Sequence, residues 1–201
     1  MNRELILVLG GARGGKSNYA EDMARKLGDD DVVFVATAQG LDEEMRSRIA
    51  SHRAARPSAW HTVETPSLIN LSLDEDRRRP RVIVVDCLTL LVSNALLGPT
   101  DGGGEVAGGT EPESCGPSAL AGDVDDESEA RVEREIDALL EEYGKSRASW
   151  IVVSNEVGLG LVPGNPLGRS YRDALGRANQ RVAAAADQVV LMVAGLPLRV
   201  K

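Results

Sequence analysis

Apolar and polar positions along the chain alternate between two kinds of segment. Short, continuous apolar runs occur at residues 4–9 (ELILVL), 32–36 (VVFVA), 82–85 (VIVV), 150–153 (WIVV) and 189–193 (VVLMV). Each has strand length and is rich in β-branched residues, as expected for strands buried on both faces. Helical periodicity lies between them. Tyr19, Met23 and Leu27 share one face of a helix expected from Lys16 to Leu27, with Gly28 as its stop. A polar helical segment runs through Asp42, Met45, Ile49 and His52 to Pro57, and Leu88–Leu97 forms a short helix. Val132, Ile136, Leu139, Leu140 and Tyr143 define an amphipathic helix ended by Gly144, and Leu175, Ala178 and Val182 define another from Tyr171 to Ala186. Strands alternating with crossover helices predict an α/β fold with a mostly parallel sheet. Gly195-Leu196-Pro197 then turns the chain into a short antiparallel edge at residues 198–200.

Residues 98–128 break this pattern. They are rich in Gly, Ser, Pro and acids and have no period, so they are expected to form a disordered surface insertion in a single domain spanning 1–201. Nine acids and no Lys or Arg lie between Leu97 and Ala130, against a net charge of -8 for the whole chain. The acidity therefore belongs to the insertion. The remainder is nearly neutral, which argues against a nucleic-acid partner. No apolar run approaches the ~20 residues that span a bilayer. No signal peptide is evident, and Cys87 and Cys115 have neither metal-ligand spacing nor a disulfide framework. A cytoplasmic protein is expected.

Candidate chemistry begins at Gly10-Gly11-Ala12-Arg13-Gly14-Gly15-Lys16-Ser17, which matches G-x-x-x-x-G-K-[ST] between a strand and a helix. Glycines there let backbone N–H groups turn toward phosphate oxygens, and the helix N-terminus adds partial positive charge. Lys16 is expected to reach the β- and γ-phosphates, and Ser17 to ligate Mg²⁺. Asp86 ends the third predicted strand, a position suited to holding the same Mg²⁺. His52 lies in a run of positive groups, Arg48, Arg53 and Arg56, suited to a polyphosphate. A neutral imidazole is a competent nucleophile toward phosphorus. His61 lacks such surroundings and is assigned no role. Asn155-Glu156-Val157-Gly158-Leu159-Gly160-Leu161-Val162-Pro163 leaves the end of a strand, where it reads equally as a ligand-lining loop or an ordinary turn.

Taken together, these motifs resemble the bifunctional adenosylcobinamide kinase/adenosylcobinamide-phosphate guanylyltransferase family. The resemblance is carried by GGARGGKS, VATAQ (35–39), DEEMRSRIASHRAARP (42–57), WHTVE (60–64), VVDCLTLLVSN (84–94), SNEVGLGLVP (154–163) and RDALGRANQRVAAAADQVVLMVAG (172–195). It covers nearly all of the chain except 98–128. It implies a RecA-like P-loop fold, a homo-oligomer, specifically a homotrimer, and two reactions. ATP or GTP phosphorylates the aminopropanol hydroxyl of the corrinoid substrate adenosylcobinamide. GMP is then transferred from GTP to that phosphate through a guanylyl-histidine intermediate, for which His52 is the matching residue. The resemblance also places Thr37, Ala38, Gln39, Arg53, Arg56, Glu64 and Asp86 at the nucleotide, beside the P-loop residues. Glu64 would face either guanine or ribose.

Two departures stand out. Ser51 replaces a second histidine that some relatives carry before the nucleophile, and Asp86 stands where relatives have Glu. A plain P-loop small-molecule kinase would leave His52 a bystander. A GTP-binding switch would need an N-K-x-D motif, and Asn155 is followed by Glu156.

Overall fold

The computed structural model describes residues 3–39, 43–69, 71, 79–98 and 126–201; in the second helix the side chains of Glu44, Met45, Arg48 and Ala55 lie outside the description. The elements are β1 (Leu5–Gly10), α1 (Lys16–Gly28), β2 (Val32–Ala36), α2 (Glu43–Ala55), β3 (His61–Glu64) and β4 (Val82–Asp86), followed by α3 (Leu88–Leu97), α4 (Asp126–Lys145), β5 (Ser149–Val153), α5 (Pro166–Ala185), β6 (Gln188–Val193) and β7 (Leu196–Arg199). They build one sheet in the order β3-β2-β4-β5-β1-β6-β7. All pairs are parallel except β6 with β7. The expected α/β class and antiparallel edge are therefore both present.

Strand alternation divides the core in two. Leu5, Leu7, Ile83, Val85, Trp150 and Val152 point to one face and pack under α3, α4 and α5. Ile6, Val8, Val82, Val84, Ile151 and Val153 point to the other, under α1 and Trp60. Each fully buried aliphatic side chain contributes about 1.5–3 kcal/mol of transfer free energy, so the central strands hold the fold together. Among the described residues, no helix is long and apolar enough to cross a membrane.

Four sequence expectations need correction. The innermost residues of α1 are Lys16, Ala20, Ala24 and Gly28, one position beyond the predicted face. Tyr19, Met23 and Leu27 flank them half-buried. Small residues let the helix lie close to the sheet. A Cβ on Gly28 would stand 2.9 Å from a methyl of Val82. His61–Glu64, which has no apolar run to predict a strand, forms edge strand β3 by pairing with Val33–Ala36. Helix α5 starts at Pro166, where the Asn165 side chain accepts from the Gly168 amide at 2.6 Å as an N-cap. Helix α4 starts at Asp126, inside the stretch assigned to the insertion, because the acids Asp126, Glu127 and Glu129 suit a helix N-terminus. The rest of that insertion, 99–125, lies outside the described residues, as does Asp42.

Candidate functional site at the C-terminal ends of the strands

Strand β1 is central in the sheet, and its last residue, Gly10, opens the P-loop. A Cβ on Gly10 would stand 2.7 Å from the Met192 carbonyl oxygen of β6, so the loop leaves the sheet pressed against its neighbour. Gly11 O accepts from Gly14 N at 3.1 Å, closing the loop. Gly15 and Arg13 have positive φ, 86° and 57°. At Gly15 that conformation carries no side-chain penalty. Ala12 and Arg13 are exposed, and Gly14 half-buried. The Lys16 ammonium donates to Gly11 O at 2.7 Å, which folds the lysine back over the loop it follows. Its residue is only 8% exposed. Burial lowers its pKa, while Cys87 and Asp86 pull it back up.

Asp86 ends β4, and register places it level with Ala36 of β2. Glu64 of β3 is level with Ala36 on the other side. Two strand spacings separate these carboxylates' backbones, about 10 Å. Burial raises the Asp86 pKa. A hydrogen bond from Ser17 and the charges of His52, Arg56 and Lys16 oppose that rise. Lys16, Ser17, Asp86, His52 and Arg56, picked out separately in the sequence, thus share one electrostatic site.

Thr37 is fully buried at the exit of β2. Its amide donates to Asp86 O at 3.1 Å. Its hydroxyl donates to Cys87 O and accepts from Cys87 N, both at 2.8 Å. Asn94 Nδ2 donates to Thr37 O at 3.0 Å. Thr37 therefore fixes the turn that aims Asp86. Ala38 and Gln39 follow it, half-buried. Burial pushes the neighbouring Cys87 thiol up to about 11, so it stays protonated at neutral pH.

His52 and Arg53 occupy the last turn of α2, both exposed. Arg53 Nη1 pairs with Glu64 at 3.1 Å. The Arg56 guanidinium lies 3.7 Å above the centre of the Phe34 ring, and its buried Nε has no hydrogen-bond partner among the described residues. Asp86, Glu21 and Glu64 offset the cost of burying that cation. The described part of α2 is otherwise open to solvent, with Ile49 half-buried.

Sequence reasoning missed two carboxylates. Glu21, one turn beyond Ser17 on α1, faces Arg56, Asp86 and His52. Its place on the P-loop helix at i+4 from Ser17 was the available signal. Buried Glu135 of α4 accepts from Ser67 Oγ and, at 2.7 Å, from Leu68 N. It ties the segment after β3 to the helices, and nothing local in the sequence marks it.

The loop after β5 joins the site at its base, where Glu156 N donates to Gly10 O at 3.1 Å. Ser154 Oγ donates to Asn179 Oδ1 at 2.6 Å, and Asn179 Nδ2 donates to Asn155 O at 3.0 Å. Helix α5 thereby holds the strand end in place.

Residues 6–200 match the family model described as cobinamide kinase / cobinamide phosphate guanyltransferase. The bifunctional adenosylcobalamin biosynthesis protein CobU of Salmonella typhimurium is 38% identical over 98% of this chain and 99% of its own. The protein of that name from Escherichia coli is 37% identical over the same shares. CobP of Pseudomonas aeruginosa, also titled bifunctional, is 40% identical over 97% of this chain and 96% of its own. Among solved structures, the ATPase domain of G40P aligns at 15% identity and a TM-score of 0.49, over 94% of this chain and 69% of that one. With a P-loop at its central strand and a match that runs from β1 to the chain's last residues, the chain belongs to the cobinamide kinase / cobinamide phosphate guanyltransferase family.

Proposed function

We propose that this chain phosphorylates adenosylcobinamide with ATP or GTP and then transfers GMP from GTP to the resulting phosphate. The product is adenosylcobinamide-GDP, and His52 carries the GMP between donor and acceptor. The observation that supports this best is the convergence on Asp86 of the P-loop pair Lys16 and Ser17 with His52 and Arg56 of the α2 segment.

In the kinase step the P-loop amides and Lys16 bind the donor's phosphates and stabilise charge as the acceptor oxygen attacks the γ-phosphorus and the nucleoside diphosphate leaves. In the second step a neutral His52 nitrogen attacks the α-phosphorus of GTP, and pyrophosphate leaves. A corrinoid phosphate oxygen then attacks the phosphorus of the histidine-bound GMP, forming a P–O bond as the P–N bond breaks and His52 is freed. A difficult transfer is thereby split into two easier ones. Arg53 and Arg56 orient the triphosphate, while Glu64, Ala38 and Gln39 line the nucleoside side, with the buried Thr37 holding the turn behind them. Ser17 and Asp86 fit Mg²⁺, since they present two hard oxygen donors already joined by a hydrogen bond. A Mg²⁺ held by these two residues would neutralise phosphate charge.

We further read the chain as a single domain acting as a cytoplasmic homotrimer, without a nucleic-acid partner. The exposed Leu196, Leu198 and Val200 at the β7 edge supply apolar surface for such an assembly.

The test is to incubate protein with Mg²⁺ and GTP labelled at the α- or the γ-phosphate, denature it, and count retained label. Acid-labile α-label, absent from His52→Asn while some kinase activity remains, is expected. No α-label on folded, GTP-binding protein would leave a plain kinase.

A further inference from the structure

The two most exposed large apolar side chains among the described residues are Leu159 and Leu161, at 85% and 96%, with Val162 beside them at 67%. All three lie between β5 and α5. Polar bonds grip this segment from both sides. Gly158 N donates to Glu156 Oε1 at 2.7 Å, and Arg172 Nη2 donates to Gly158 O at 2.8 Å. Arg169 Nη1 donates to Pro163 O at 3.2 Å and to Gly164 O at 2.9 Å. Two arginines of α5 thus brace the backbone on either side of three apolar side chains held out in water. Hydration opposes that arrangement, and apolar groups presented within four residues of one braced loop suit a binding surface.

Its position says what binds. The segment starts at Glu156, whose amide is bonded to Gly10 O at the foot of the P-loop, so its first residue is anchored to the start of the phosphate loop. The acceptor for both proposed reactions is a corrinoid, a large flat macrocycle carrying its hydroxyl or phosphate on a side arm. It needs apolar support beside the phosphates. A second protein copy fits less well. The apolar surface read above as the assembly face is a different one, the β7 edge with Leu196, Leu198 and Val200.

We infer that Leu159, Leu161 and Val162 form a platform on which the corrinoid macrocycle rests while its side arm reaches the P-loop. This rests on the corrinoid reading given above. The loop's residues support the substrate and take no part in the chemistry.

The experiment compares the full-length wild type with a Leu159→Ser/Leu161→Ser pair and a Leu159→Met/Leu161→Met pair. KM for adenosylcobinamide, kcat, corrinoid-independent labelling by α-labelled GTP, and sedimentation are measured for each. The serine pair is expected to raise the corrinoid KM about ten-fold or more. Its kcat, GTP labelling and sedimentation should stay within about two-fold of wild type, and the methionine pair should behave nearly as wild type. An unchanged KM in the serine pair overturns the inference. So does equal damage in the methionine pair, or altered sedimentation accompanying the KM change, which would place a second copy on the loop. Wild-type protein that takes label from GTP but turns over no corrinoid overturns the functional reading together with this one.

Discussion

The Ser17 hydroxyl donates a hydrogen bond to the Asp86 carboxylate, joining the first turn of α1 to the end of β4. Replacing Ser17 with Ala removes that bond and one oxygen donor from the proposed metal site. Stability should fall by about 1 kcal/mol in denaturant melts. The rates of both transfer steps should fall by about 10²-fold, with more Mg²⁺ needed for half-maximal activity. Wild-type Mg²⁺ dependence in the variant would remove Ser17 from the metal site.

Gly10 sits where a Cβ would press on the Met192 carbonyl at 2.7 Å, and its φ is 152°. Backbone cannot yield as a flexible side-chain tip can. Gly10→Ala should therefore cost about 1–3 kcal/mol, measured by urea unfolding, and weaken nucleotide binding with it. Among the described residues, no atom beyond its own stretch of helix lies within 4 Å of the would-be Cβ of Gly144. Gly144→Ala, within α4, should stabilise by up to about 1 kcal/mol, the opposite sign, which makes it the control.

Glu135 holds Ser67 and Leu68 with one buried carboxylate. Glu135→Ala leaves the Leu68 amide unpaired in the interior. A loss of about 1.5–3 kcal/mol is expected. Because Glu64 lies three residues before Ser67, hydrogen exchange should quicken at residues 64–69 before the central strands are affected.

Glu21 supplies the pH dependence. Burial raises its pKa, with Arg56 chief among the charges opposing the rise. A folded-state value above the unfolded one means that ionisation of this group disfavours folding at neutral pH. The penalty fades as pH falls through the folded-state value toward the ordinary carboxylate range. Glu21→Gln should therefore melt no lower than wild type at pH 8, and its advantage should shrink as the solution is acidified. A variant that melts well below wild type at pH 8 would show that the pairing with Arg56 outweighs desolvation.

The central strands and the P-loop were legible because each rests on local chemistry. Short apolar runs rich in β-branched residues read as buried strands, and the glycine-lysine-serine pattern marks a phosphate loop. What escaped was set by partners distant in sequence. His61–Glu64 has too few apolar positions to read as a strand, yet pairing with β2 makes it one. The α1 face slipped by one residue because alanines and a glycine, weak apolar signals, make the closest approach to the sheet. The start of α5 is marked by Asn165-Pro166, a weaker signal than the apolar periodicity that begins downstream of it. Glu135 could not be found locally, since its partners lie more than sixty residues away.

Helix α2 carries the proposed nucleophile on a segment whose described side chains are nearly all solvated. Selection for a stable fold and selection for guanylyl transfer therefore fall on different residues. In a library of single substitutions, changes at Glu43, Arg46, Ser47, Ala50 and Ala54 should leave cellular abundance untouched. Changes at His52 should leave abundance equally untouched while abolishing cobalamin-dependent growth. Core positions such as Trp150 should lose both together.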